Sequence, residues 1–162
     1  MLSNNNIYTS DEFLEIRRQI RIQNQKLVFT NGCFDILHVG HVDYLNKAKR
    51  KGDKLIVALN TDESVRRIKG EDRPVISQEE RAFIISNLKS VDYVTFFNED
   101  TPKEIIDKLI PDVLIKGADW NLNNIVGRET VERNGGEVKT IDFISSQSTT
   151  KIIDKILKIY RD

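Results

Sequence analysis

Lys26-Leu27-Val28-Phe29-Thr30-Asn31-Gly32-Cys33-Phe34-Asp35-Ile36-Leu37 runs directly into His38-Val39-Gly40-His41, and this stretch decides the fold. Its apolar start reads as a strand, Asn31-Gly32 as a tight turn, and the residues after His38 as the first turn of a helix. Both histidines of the chain fall in that tetrapeptide. A helix start offers unpaired N–H groups and the positive end of a dipole, and two imidazoles there add further donors. Such a set suits a nucleoside triphosphate. The bland alternative is a capped core helix whose histidines are incidental.

Outward from this stretch, short apolar runs at 26–31, 54–59, 92–97, 112–116 and 137–142 read as strands, being rich in Val, Ile, Leu and Phe without internal Pro. Helical patterns lie between and around them, near 39–50, 61–67, 78–89, 102–109, 124–133 and 149–160. A further helix starts at Ser10-Asp11-Glu12, with Phe13, Ile16, Ile20 and the stem of Arg17 on one face. Ser77-Gln78-Glu79-Glu80 reads as a capping box, and Pro102 as a first helical residue. Strands alternating with helices predict right-handed βαβ units. The expectation is one doubly wound, Rossmann-like α/β domain with a five-stranded parallel sheet covered on both faces. Residues 1–25 read as an N-terminal tail and helix, the first nine polar and mobile, ahead of a domain over 26–162.

Bulk properties narrow the class. With 162 residues, 25 Lys plus Arg and 25 Asp plus Glu, the chain is neutral and its charges are evenly mixed, which argues against a nucleic-acid surface. Cys33 is the only cysteine, so no intrachain disulfide forms and a reducing compartment is expected. No leader pattern and no long apolar span stands out, so the expected location is cytoplasmic, away from membranes.

In such a fold the ligand crevice lies at the carboxyl ends of the strands. Polar residues gather there: Thr30, Asn31, Asp35, His38 and His41 after the first strand; Asn60, Thr61 and Asp62 after the second; Lys116, Gly117, Asp119 and Trp120 after the fourth; Ser148-Thr149-Thr150 before the last helix. Each has a plain reading beside the functional one. Thr30-Asn31-Gly32 fits a phosphate cradle or an ordinary turn. Asp35 fits a hydroxyl or Mg²⁺ contact, or a side chain that fixes its own turn. Ser148-Thr149-Thr150 fits a helix cap or a phosphate site. Lys69 and Arg73 sit in a basic loop that either folds over phosphates or stays solvated. Cys33 reads as a small buried thiol. No Gly-x-Gly-x-x-Gly, Walker loop, His-Glu-x-x-His or cysteine pair is present, which disfavours a nicotinamide dehydrogenase, a P-loop enzyme and a zinc hydrolase.

Together these residues resemble the nucleotidyltransferases that carry His-x-Gly-His. Within them the chain is similar to the D-glycero-D-manno-heptose 1-phosphate adenylyltransferases, the ADP-heptose synthase family of lipopolysaccharide precursor synthesis. The likeness runs from about Lys26 to Leu157. It rests on Phe29 through His41, Asn60-Thr61-Asp62-Glu63-Ser64-Val65-Arg66-Arg67-Ile68-Lys69-Gly70, Arg73-Pro74-Val75, Glu80-Arg81-Ala82, Asp92-Tyr93-Val94, Pro111 through Gly117, Ile125-Val126-Gly127 and Ser148 through Ile153.

The resemblance implies attack of a sugar 1-phosphate oxygen on the α-phosphorus of ATP, with pyrophosphate leaving and Mg²⁺ arriving with ATP. It assigns His38, His41, Lys116 and Lys69 to catalysis. Thr30, Asn31, Gly32, Phe34, Gly40, Ser148, Thr149 and Thr150 go to the nucleotide, and Asp35, Asn60, Asp62, Arg73, Asp119 and Trp120 to the acceptor, Asp35 contacting either the acceptor or the metal. Many members carry a fused sugar-kinase half that these residues lack, so a separate kinase and phosphatase are expected to supply the sugar phosphate.

Two departures bear on the branch. Glycerol-phosphate cytidylyltransferases place Arg five residues before Ser-Thr-Thr, where this chain has Phe143. Heptose enzymes usually continue Lys-Gly with Gly-Asp-Tyr, where this chain has Ala118-Asp119-Trp120. The alternatives are a transferase of the same fold acting on glycerol 3-phosphate, a choline-type phosphate or FMN, one forming GDP-heptose, and a non-catalytic nucleotide binder. A homodimer is expected because two-fold dimers are the commonest assembly, and the first helix packs either on its own domain or on a second subunit.

Overall fold

The computed structural model describes residues 6–118, 120–142 and 148–160. The order of elements is α1 (Ser10–Ile22), β1 (Leu27–Gly32), α2 (Val39–Lys49), β2 (Lys54–Asn60), α3 (Asp62–Lys69), α4 (Gln78–Ser86), β3 (Tyr93–Phe97), α5 (Lys103–Leu109), β4 (Val113–Gly117), a 3₁₀ turn (Leu122–Asn124), α6 (Arg128–Arg133), β5 (Glu137–Ile141) and α7 (Thr149–Tyr160). All five expected strands form, and they pair in parallel in the order β3-β2-β1-β4-β5. This is the expected doubly wound, Rossmann-like arrangement.

Strand side chains alternate between two cores. Val28, Leu55, Val57, Val113 and Ile115 meet Tyr44, Leu45 and Ala48 of α2 and Ala82 and Ile85 of α4 on one face. Leu27, Phe29, Ile56, Ala58 and Leu114 meet Phe13 and Ile20 of α1, Ile105, Ile106 and Leu109 of α5 and Val131 of α6 on the other. Burial on both faces explains why the strands read as continuous apolar runs.

Asp53, Asp92 and Asp112 tie off the opposite, amino-terminal edge. Their carboxylates accept the amides of Lys26, Leu55 and Leu27, each at 2.7 Å. Arg17, expected only to lay its stem on the apolar face of α1, is buried and binds Asp112 at 2.8 Å and the carbonyls of Leu109 and Ile110 at 3.1 and 2.6 Å.

Several boundaries move for local reasons. Thr9, not Ser10, caps α1, in a capping box with Glu12. Residues 6–8, read as a mobile lead-in, reach the sheet edge, where Tyr8 donates to Val94 and Val94 to Asn6, both at 2.9 Å. Pro102 is the N-cap of α5 and not its first residue. The helix expected over 124–133 begins only at Arg128, because Gly127 stands at φ 87° and its bare Cα abuts Ile106. The capping box of Ser77 and Glu80 forms as read. Among the described residues no helix is long and apolar enough to cross a membrane.

The site follows from the pairing register. β1 pairs with β2 along its whole length, from Leu27 to Gly32. With β4 it pairs only at Val28 and Phe29. Beyond Phe29 the carboxyl ends of β1 and β4 part, and their loops turn to opposite faces of the sheet. That is the switch point where an α/β sheet opens a crevice.

Candidate active site

A cavity of about 670 Å³ occupies this crevice and extends along the carboxyl edge from β4 to β3. Across the opening Lys116 donates to the Asn31 side chain, joining two residues 85 positions apart in the chain. Lys116 is buried, and its ammonium also lies 5.6 Å from the ring centroid of Trp120.

His38 and His41 stand at the start of α2. His38 is its N-cap residue, with extended backbone and no side-chain capping bond. The two rings stack at 3.9 Å between centroids, 24° from parallel, and Phe34 packs on His41 at 5.0 Å. Phe34 takes a left-handed backbone, φ 46°, which sends its ring back under the turn. Burial lowers the pKa of His38; burial, then the neighbouring His38, lowers that of His41 to about 4. The pair is therefore neutral at pH 7 and presents N–H donors rather than two cations.

Ser148 caps α7 by accepting from the amide of Lys151 at 3.2 Å, and the Thr149 hydroxyl donates to the Ile36 carbonyl at 3.3 Å. The second bond draws the starts of α2 and α7 to one cavity.

Of the residues singled out from the sequence, the cavity wall holds His38, His41, Lys116, Lys69, Asn31, Gly32, Phe34, Ser148, Thr149, Thr150, Asp35, Asn60, Arg73 and Trp120. Three do not line it. The hydroxyl of Thr30 is buried against that of Tyr44 at 2.7 Å. Gly40 is buried inside the first turn of α2. Asp62 accepts from Arg81 at 2.7 Å. Asp119 and Phe143 lie outside the described residues.

Asp35 reaches the wall, but its oxygens are engaged by Arg73 at 2.6 Å and the amides of Val75 and Ile76 at 2.9 and 3.0 Å. Its placement is that of an anchor for the Lys69–Ile76 loop. Cys33, read as buried, is only partly so and faces the cavity; burial raises its pKa and keeps the thiol protonated.

Arg81 escaped the sequence reading as a site residue. Fully buried, its guanidinium donates to the carbonyls of Ile76, Cys33 and Asn60 at 3.0, 2.5 and 2.9 Å as well as to Asp62. One side chain thus clamps the ends of β1 and β2 to the basic loop. The available signal was an arginine on the apolar face of α4, beside Ala82 and Ile85. Phe97, Asp100, Thr101 and Pro102, after β3, were also missed as part of the wall.

Residues 29–155 match the cytidylyltransferase-like family. The chain belongs to that family. The chain also resembles curated relatives that share one name. It is 56% identical over 138 residues to the bifunctional protein HldE of Citrifermentans bemidjiense, covering 85% of this chain and 28% of that one. With HldE of Geobacter sulfurreducens it shares 56% over 140 residues, 86% of this chain and 29% of the relative. The chain thus spans less than a third of the length of these relatives.

A lipopolysaccharide core biosynthesis protein from Thermoplasma volcanium superposes with a TM-score of 0.61 at 29% identity, covering 76% of this chain and 99% of the other. A pantoate-β-alanine ligase from Francisella tularensis shares the fold alone, at 16% identity and a TM-score of 0.59, over 97% of this chain and 79% of its own.

Proposed function

We propose that this cytidylyltransferase-like chain transfers AMP from ATP to D-glycero-D-manno-heptose 1-phosphate, giving ADP-heptose and pyrophosphate. The observation that carries the reading is the stacked His38–His41 pair at the start of α2, which has no side-chain cap, lining one cavity with Lys116 at the end of β4. The names of the HldE relatives support the heptose branch.

A 1-phosphate oxygen of the sugar attacks the α-phosphorus of ATP; the new P–O bond forms as the bond to the β-phosphate oxygen breaks, and pyrophosphate departs. No covalent enzyme intermediate is needed, so the protein's contribution is alignment and stabilisation of charge. His38, His41 and the first amides of α2 donate to the α- and β-phosphate oxygens. Lys116 supplies positive charge from the β4 side, and Lys69 and Arg73 supply it from the loop that Asp35 and Arg81 hold in place. Ser148, Thr149 and Thr150 border the phosphate path.

Trp120, assigned to the acceptor by the resemblance, lies at the β4 end beside Lys116, half-exposed with Val126 on the same wall. An aromatic face there suits the adenine ring, and the acceptor then lies toward β2 and β3. Among the described residues no group of three His, Cys, Asp or Glu side chains is placed to hold a metal ion. Mg²⁺ enters, on this reading, on the phosphates of ATP. A homodimer remains part of the proposal; the apolar face of α1 is spent on the chain's own core, so pairing must use another surface, and sedimentation would measure it.

The deciding experiment is pyrophosphate release with Mg²⁺, crossing ATP, CTP and GTP with both anomers of the heptose 1-phosphate and with glycerol 3-phosphate. Release with ATP and one heptose anomer is the expected result and identifies the anomer. Release confined to CTP overturns the heptose reading, release with GTP moves the product to GDP-heptose, and none from folded protein that binds ATP points to another acceptor or a non-catalytic binder.

A further inference from the structure

The end of the cavity under β3 differs in chemistry from the rest. Lys116, His38, His41, Lys69 and Arg73 make the remainder of the wall rich in donors and positive charge. The β3 end instead offers Asp100, Thr101 and the apolar faces of Phe97 and Pro102. A carboxylate repels phosphate and binds hydroxyl groups well, so this end suits the polyol of a substrate and not its phosphates.

Its loop is also built rather than loose. Ser64 of α3 donates to the Glu99 carbonyl at 3.1 Å, and Thr61 meets the Asn98 side chain. Arg67 donates to the Asn98 carbonyl and, through Nε at 2.9 Å, to Oδ1 of Asp100. Arg67 thereby aims the carboxylate. Among the described residues Oδ2 of Asp100 and the Thr101 hydroxyl have no hydrogen-bond partner, and the Asp100 side chain is 68% exposed. An oriented acceptor oxygen and a free hydroxyl, side by side on a cavity wall, are what recognition of a sugar tail requires.

Resting on the heptose reading above, we infer that Asp100, held by Arg67 and assisted by Thr101, reads the hydroxyls of the acceptor sugar at the end remote from its phosphate and sets the preference for a seven-carbon over a six-carbon sugar. Binding energy from that remote end is gained only by the longer sugar, so removing Asp100 affects discrimination more than turnover of a shorter substrate.

The test measures kcat/KM for D-glycero-D-manno-heptose 1-phosphate and for D-mannose 1-phosphate, which lacks the seventh carbon and its hydroxyl, in wild type, Asp100→Ala, Asp100→Asn and Arg67→Gln. In Asp100→Ala the heptose value is expected to fall roughly 10- to 100-fold, the scale of one lost charged hydrogen bond, while the mannose value and the KM for ATP stay within about twofold. Asp100→Asn retains part of the preference, and Arg67→Gln loses part of it because the carboxylate is no longer aimed. An equal fall for both sugars, a raised KM for ATP, or no change overturns the inference and leaves the function standing. Failure of the wild type to use the heptose phosphate overturns both.

Discussion

His38 and His41 stack ring on ring, 3.9 Å between centroids, and the Nδ1 atom of each is buried without a hydrogen-bond partner. Stacking at this distance tolerates at most one charge, and the opposite ring edges are left to serve the cavity. Under the proposed mechanism, replacing either ring by Ala removes a donor to the phosphates where charge builds up in the transition state. Turnover is expected to fall by about a hundredfold or more, with the KM for ATP changing far less. Steady-state pyrophosphate release from His38→Ala and His41→Ala checks this, and a loss confined to KM would refute a transition-state role.

The His41 shift also sets a pH dependence. Its pKa in the fold, about 4, is below the ordinary 6.5, so the folded state prefers the neutral ring. The unfolded chain binds the extra proton between those values, and the stability contributed by the neutral ring, present above pH 6.5, is lost as pH falls toward 4. Urea midpoints at neutral and mildly acidic pH should therefore separate more for wild type than for His41→Asn. Catalysis on the same grounds should not decline as pH rises from 6.5 to 8, which it would if an imidazolium were required.

Arg81 holds three carbonyls and one carboxylate from a fully buried position. Arg81→Ala leaves all four acceptors without that partner and is expected to cost about 3–5 kcal/mol. Arg81→Lys replaces a planar fork by a single ammonium and is expected to recover only part of this. Urea denaturation of both variants gives the measurement; a cost near zero would mean that water replaces the clamp.

Trp120 tests where the base lies in the proposed reading. Trp120→Ala is expected to raise the KM for ATP roughly 10-fold, the scale of one base–aromatic stack, with little effect on the KM for the sugar phosphate. The opposite pattern would return Trp120 to the acceptor.

Gly127 tests the junction before α6. A Cβ there would lie 2.7 Å from Ile106 side-chain carbons, at a backbone φ of 87°. Gly127→Ala is expected to destabilise by roughly 1–3 kcal/mol, read from thermal or urea unfolding.

The sequence by itself determined the alternation of strands and helices, the capping box of Ser77 and Glu80, and the placing of His38 and His41 at a helix start. Those are short-range properties: side-chain periodicity and cap chemistry act within a few residues and can be read in a window. Most of the cavity wall was legible for the same reason, because strand ends in a parallel sheet collect polar residues on one edge. Only the tertiary structure decided the order β3-β2-β1-β4-β5, the early parting of β1 from β4, and hence the opening between Asn31 and Lys116. It also committed Asp35 to Arg73, 38 residues away, buried Arg81 as a clamp, turned Thr30 toward Tyr44, and brought Asp100 to the wall. Each of these is a choice of partner across long stretches of chain. A carboxylate or a guanidinium has the same local signature whichever partner it finds, and only burial and geometry in the folded molecule select one.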